Sequence, residues 1–154
     1  MSDRTVRFKT LVWKFKDTKI EYPELSEIPK KKITSPQDFF ELFNPLMIEQ
    51  PCEIFVLAWL SSFNRVIGFD IISSGNLNSS IVHPREVFRR AVVTNCASII
   101  LAHNHPSGNT DPSNEDISIT KKLIEVGKII DIPIFDHIIF AENSYTSFVE
   151  RRLI

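Results

Sequence analysis

The chain has 154 residues, 43% of them hydrophobic and 24% charged, with 18 Lys and Arg against 19 Asp and Glu. That balance is the one of a single soluble domain long enough to close its own core, and 4 Gly and 9 Pro exclude collagen-like or low-complexity character. The longest apolar stretches, around residues 54–60 and 91–102, are too short for a bilayer-spanning helix, and residues 1–7 lack the apolar core of a secretory signal, so a cytoplasmic protein is expected.

Residues 1–36 hold 9 Lys and Arg against 5 Asp and Glu, a net charge of +4, while the remainder is net −5. Thr5 to Lys16 alternates apolar and polar residues with one change of phase, as a bulged strand or two short strands would, and its cations read as a solvated strand face. Glu21 to Pro29 breaks that pattern and reads as a linker. The expected organisation is therefore an N-terminal extension over 1–36 and a main domain over 37–154.

Ser35-Pro36-Gln37-Asp38 supplies a helix cap, a proline at the first helical position and an acid in the first turn. Phe39, Phe40 and Phe43 follow on one face, and the helix is expected to run to about Asn44, with Pro45 ending or kinking it. Glu53–Leu60 and Arg65–Ser73 are β-branched and aromatic runs around a turn, hence a hairpin. After a loop over 75–80, His83-Pro84-Arg85-Glu86 opens a helix with an apolar stripe of Val87, Phe88, Ala91 and Val92, ending near Asn95.

Ala97 to Ala102 is almost wholly apolar, as befits a central strand covered on both faces. A helix begins at Ser113 with Ile117, Thr120, Leu123, Ile124 and Gly127 turned inward, and Ile132 to Phe140 returns as a strand. Alternating helices and strands imply a layered α/β domain around a mixed sheet. Cys52 and Cys96 sit in apolar runs at no metal-ligand spacing and read as buried, reduced thiols.

The informative segment is His103-Asn104-His105-Pro106-Ser107-Gly108, followed by Ser113-Asn114-Glu115-Asp116. Side chains two apart in a strand point the same way, so both imidazoles can reach one ion, and Pro106 and Gly108 turn the chain so that Asp116 can approach from the next helix. Two imidazoles and a carboxylate leave the fourth tetrahedral position to water, the pattern of catalytic zinc, which brings a hydroxide nucleophile within reach of neutral pH. Taken alone, Ser113-x-x-Asp116 reads first as a capping box, whose acid accepts a backbone N–H.

His103-x-His105, seven residues and then Ser113-x-x-Asp116 resemble the zinc-binding signature of the JAMM (JAB/MPN) metallohydrolases. His-Asn-His-Pro-Ser-Gly and Pro-Ser-x-Glu-Asp resemble that family's RadC-like branch, and the likeness extends over residues 37–154, including Pro84-Arg85-Glu86-Val87 and Asp136-His137-Ile138-Ile139. The resemblance implies an α-β-α sandwich around a mixed sheet, layered like a cytidine deaminase. It implies Zn2+ bound by His103, His105 and Asp116, Ser113 holding the oxyanion, and an upstream glutamate as general acid and base, matched by Glu53.

A carboxylate at Glu53 also suits the chemistry, because amide hydrolysis needs a group that takes a proton from water and delivers it to the leaving nitrogen. Glu86 lies beside Arg85, Arg89 and Arg90, where an ion pair is the expected role, and Glu115 points away from Asp116. His83 reads as a turn or capping residue, Asp136-His137 as a structural hydrogen-bonded pair rather than a pair orienting a ligand, and Asn104 as a packing or loop-bonding residue on the opposite strand face.

The expected function is a zinc-dependent hydrolase of a peptide, isopeptide or other amide bond, with a peptide or protein-conjugate substrate and no membrane partner. RadC-like proteins are also labelled as DNA repair factors and usually carry helical hairpins ahead of this domain. Here residues 1–36 are too few and too β-like for those, and the acidic main domain opposes phosphate binding. A metal-free scaffold is disfavoured because no ligand of the signature is missing.

Overall fold

A computed structural model of the chain describes residues 31–75 and 82–154. The expected N-terminal strands, the linker over 21–29 and nearly all of the loop over 75–80 lie outside the described residues. Helix α1 (Pro36–Ile48) leads into the hairpin β1 (Ile54–Leu60) and β2 (Val66–Ser74), then α2 (Pro84–Thr94), β3 (Ser98–Asn104), α3 (Asn114–Ile129), β4 (Ile134–Ala141) and β5 (Ser144–Ser147). The five strands lie in the order β2-β1-β3-β4-β5, with only the β3–β4 pair parallel. This is the mixed sheet of the expected α/β class.

Strand alternation divides the core in two. Ile54, Val56, Ala58, Ile100 and Ala102 turn to one face, where they pack with Phe39, Phe43 and Met47 of α1. Phe55, Leu57, Ile99 and Leu101 turn to the other, against Val87, Phe88 and Ala91 of α2 and Leu123 of α3. Every residue of β3 is buried, as a central strand with helices on both faces requires. The same alternation sends His103 to the α2/α3 side and Asn104 to the α1 side.

Helix α1 begins on the expected cap, Ser35 and Asp38 forming a reciprocal box, but it does not stop at Asn44. Pro45 lies inside it and leaves the Glu41 carbonyl without its helical donor, a defect that costs roughly 3 kcal/mol. The extra turn buries Leu46 and Met47, each worth about 1.5–3 kcal/mol, and that burial carries the helix past the proline. Helix α2 starts after His83, which occupies the cap position without a side-chain cap bond, and ends at Asn95 in the left-handed conformation.

Three further expectations are corrected. Val92 is 60% exposed, so the buried stripe of α2 is Val87, Phe88 and Ala91. On α3, Thr120, Leu123 and Gly127 are buried while Ile117 and Ile124 are only half-buried. Cys96 is buried as expected, but Cys52 is half-buried, its Sγ 3.3 Å from Ser74 Oγ; neither is in a disulfide. Gly127 is required where it is, since a Cβ there would sit 2.6 Å from the Ile132 carbonyl oxygen as the chain enters β4. No helix among the described residues is long and apolar enough to cross a membrane.

Candidate metal centre

His103 is the penultimate residue of β3 and is buried, its ring lying parallel to that of Phe55 on the neighbouring strand at a centroid distance of 6.1 Å. Two residues on, His105 leaves the sheet with its backbone N–H bonded to the Phe140 carbonyl. The loop then folds back through Gly108, at φ +82°, whose N–H reaches the His105 carbonyl. Arg151 holds the far side of this loop through a 2.7 Å ion pair with Asp111.

Asp116 arrives on the first turn of α3. Ser113 caps that helix: its Oγ accepts from the Asp116 N–H at 3.1 Å, and its own N–H and hydroxyl donate to Asp116 Oδ2 at 2.8 and 2.6 Å. The same carboxylate therefore forms the capping box and occupies the candidate ligand position. Oδ2 serves the cap mainly, while Oδ1 lies 3.4 Å from His103 Nε2. Burial pushes the Asp116 carboxyl up, but its contact with His103 and the two Ser113 donors outweigh it and hold the group well below the usual carboxylate range.

The three side chains offer one ligand atom each within 4.8 Å of one another. His103 Nε2 is 3.0 Å from His105 Nε2, and His105 Nε2 is 3.9 Å from Asp116 Oδ2. A tetrahedral zinc with bonds of about 2.1 Å separates its ligand atoms by about 3.4 Å, so the observed spacing fits a shared ion. His105 Nδ1 lies 2.6 Å from the Asn109 carbonyl, which can only accept; that nitrogen carries the proton, and the Nε2 lone pair faces the cluster.

Glu53 precedes β1, half-buried. Asn104 grips the backbone on both sides of it, accepting from the Ile54 N–H at 2.7 Å and donating to the Cys52 carbonyl at 3.1 Å, and the Gly75 N–H donates to the Glu53 carbonyl. Asn104 thus serves hydrogen bonding away from the two histidines, in keeping with its strand face. The β1–β3 pairing ends at Phe55 opposite His103, and Glu53 lies two residues before Phe55 at that end of the sheet. Glu53 is not one of the three groups that can share the ion. Glu86 is committed to Arg89 and Arg90 at 2.7 and 3.1 Å.

Asp136 and His137 form no side-chain pair. Asp136 turns away to accept from the His137 and Val149 backbone N–H groups and the Ser147 hydroxyl, while the His137 ring is fully buried on the site's side of the sheet. There His137 Nε2 lies 2.8 Å from His103 Nδ1, and His137 Nδ1 lies 2.6 Å from Thr120 Oγ1. Burial above all, with the neighbouring His103 imidazole second, drives the His137 pKa well below its ordinary value. The available signal was a histidine at an inward position of an apolar strand running parallel to the ligand strand.

Residues 33–153 match the family described as the RadC-like JAB domain. This chain belongs to that family. It is 49% identical over 121 residues to a UPF0758 protein of Methanosarcina mazei, covering 79% of this chain and 53% of the relative. A UPF0758 protein of Alkaliphilus oremlandii is 47% identical over 129 residues, covering 84% of this chain and 56% of the relative. The chain thus spans about half the length of these relatives, whose names state no activity.

Proposed function

We propose that this RadC-like JAB domain is a zinc-dependent hydrolase that cleaves an amide bond in a peptide or isopeptide substrate. The observation that carries the reading is the convergence of His103, His105 and Asp116, two imidazoles and a carboxylate within 4.8 Å, at the sheet end where Phe55, two residues after Glu53, pairs with His103. Membership of the JAB superfamily, which includes metallohydrolases, supports it.

His103, His105 and Asp116 would hold the zinc, which when bound supplies a Lewis acid and brings the pKa of water toward about 7. Glu53 takes the proton from the attacking water and returns it to the leaving nitrogen, so its backbone must be held still. Asn104 provides that hold from the opposite face of the sheet. Ser113 spends its hydroxyl proton on Asp116 Oδ2 in the resting arrangement. In the reaction the hydroxyl turns to the oxyanion, while the Ser113 N–H keeps its bond to the carboxylate.

The substrate is expected to be a peptide or protein conjugate rather than nucleic acid. The zinc-loaded chain is to be screened against peptide, isopeptide and nucleic-acid substrates. Glu53→Gln is predicted to keep zinc and to lower turnover by roughly 10²- to 10⁴-fold. Full activity in that variant would reassign the proton carrier, and steep salt-dependent retention of DNA would replace the peptide substrate with a nucleic acid.

A further inference from the structure

A continuous chain of hydrogen bonds lies behind the candidate ligands, running from His103 on β3 through His137 on β4 and Thr120 on α3 to the backbone of Asp116. The contacts are 2.8 Å from His103 Nδ1 to His137 Nε2, 2.6 Å from His137 Nδ1 to Thr120 Oγ1, and 2.6 Å from Thr120 Oγ1 to the Asp116 carbonyl oxygen. His103, His137 and Thr120 are all buried.

Heavy atoms leave two directions for the protons in such a chain, and Thr120 decides between them. Its hydroxyl has one proton, and the Asp116 carbonyl can only accept, so that proton points to Asp116. Thr120 Oγ1 then faces His137 with a lone pair, and His137 Nδ1 must be the donor. The ring of His137 is enclosed by Phe55 and Phe148, at centroid distances of 5.5 and 4.5 Å. Its two nitrogens meet one histidine and one hydroxyl and no carboxylate. A neutral His137 has a lone pair on Nε2, and His103 Nδ1–H donates to it. His103 Nε2 is left bare, facing His105 Nε2 and Asp116 Oδ1.

We propose that His137 and Thr120 are positioning residues that lock His103 in its Nδ1–H tautomer, presenting Nε2 to the ion, and tie that ligand to the helix bearing Asp116. The proposal rests on the zinc reading above. It makes β4 part of the metal centre although no residue of β4 touches the ion. A histidine free to take either tautomer would spend part of its population with Nε2 protonated and unable to bind metal.

The test pairs a spectroscopic and a thermodynamic reading. Long-range ¹H–¹⁵N NMR of the metal-free wild-type chain is expected to find the His103 proton on Nδ1; finding it on Nε2 overturns the proposal. In chelator competition, His137→Phe is expected to weaken zinc binding by about 10- to 100-fold. His137→Gln, which restores an acceptor near the Nε2 position, is expected to recover most of that loss. Thr120→Val, which removes the bonds to both His137 and the Asp116 carbonyl, is expected to lose about 3- to 10-fold.

Thermal melting of each metal-free variant reports folding. A folded His137→Phe chain with wild-type zinc affinity overturns the proposal, and should that variant not fold, the wild-type tautomer and Thr120→Val decide. A wild-type chain that takes up no zinc while His103 holds its proton on Nδ1 would strike the hydrolase reading and leave the tautomer lock standing.

Discussion

Helices α1 and α3 start with the same local device and end in different chemistry. Each opens with Ser-x-x-Asp, each forms a reciprocal capping box, and in each the acid is the third helical residue. At α1, Asp38 Oδ2 accepts from the N–H and hydroxyl of Thr34 and the N–H of Ser35, and Oδ1 lies 3.8 Å from the Lys31 amine. At α3, Asp116 Oδ2 does the equivalent work with Ser113, and Oδ1 faces His103. The motif fixes one carboxylate oxygen in both places. What the fold sets beside the other oxygen separates a cap from a candidate metal ligand.

The comparison is tested most severely by matched substitution of the acids. Asp116→Asn is expected to weaken zinc binding by at least roughly 100-fold, exceeding a loss behind the ligand shell, whereas Asp38→Asn leaves it within experimental error. Equal zinc affinity in the two variants would erase the distinction. Next come the serines. Ser35→Ala and Ser113→Ala should each cost about 1 kcal/mol in urea unfolding as lost caps. Only Ser113→Ala should also lower kcat, by about 10²- to 10³-fold, as the loss of an oxyanion donor does.

The smallest expected effect is in pH dependence. Hydrogen bonds from Thr34, its hydroxyl first, with those from Ser35, lower the Asp38 pKa from 3.8 to about 2. A folded-state pKa below the unfolded one contributes stability that is present above the unfolded value and lost as pH falls through the folded one. The cap of α1 should therefore be intact above about pH 4 and weaken on acidification toward about 2, and Asp38→Asn should flatten the acid limb of a stability profile measured by urea unfolding. An unchanged limb would deny Asp38 that role.

Most of this architecture is legible in the sequence because burial in this fold is periodic. The apolar runs of β1 and β3, the Ser-Pro and His-Pro helix starts and the inward place of Gly127 on its helix all follow from local pattern. Strand β5 was not legible: Ser144-Tyr145-Thr146-Ser147 is short and polar, and it is a strand only because β4 offers it an edge to pair with. Pro45 misleads for a related reason, since its local penalty is overcome by tertiary burial of Leu46 and Met47.

At the site, His103, His105 and Asp116 are brought together as their spacing suggests, because a two-residue step in a strand and a capped helix start are both stereotyped geometries. His137 is different. Its neighbour Asp136 suggests a local pair, but adjacent strand residues face opposite ways, and its true partners lie 34 and 17 residues away. Long-range hydrogen bonding of that kind has no period to read.

The central claim is that two histidines and one helix-capping acid share a single ion. X-ray absorption spectroscopy at the zinc edge of the zinc-loaded chain tests it most directly. The account predicts one zinc per chain, with two imidazole nitrogens and oxygen ligands at about 2.0–2.2 Å and no sulfur, and a changed coordination sphere in Asp116→Asn. Sulfur at about 2.3 Å from Cys52 or Cys96, or a spectrum indifferent to Asp116→Asn, would contradict it.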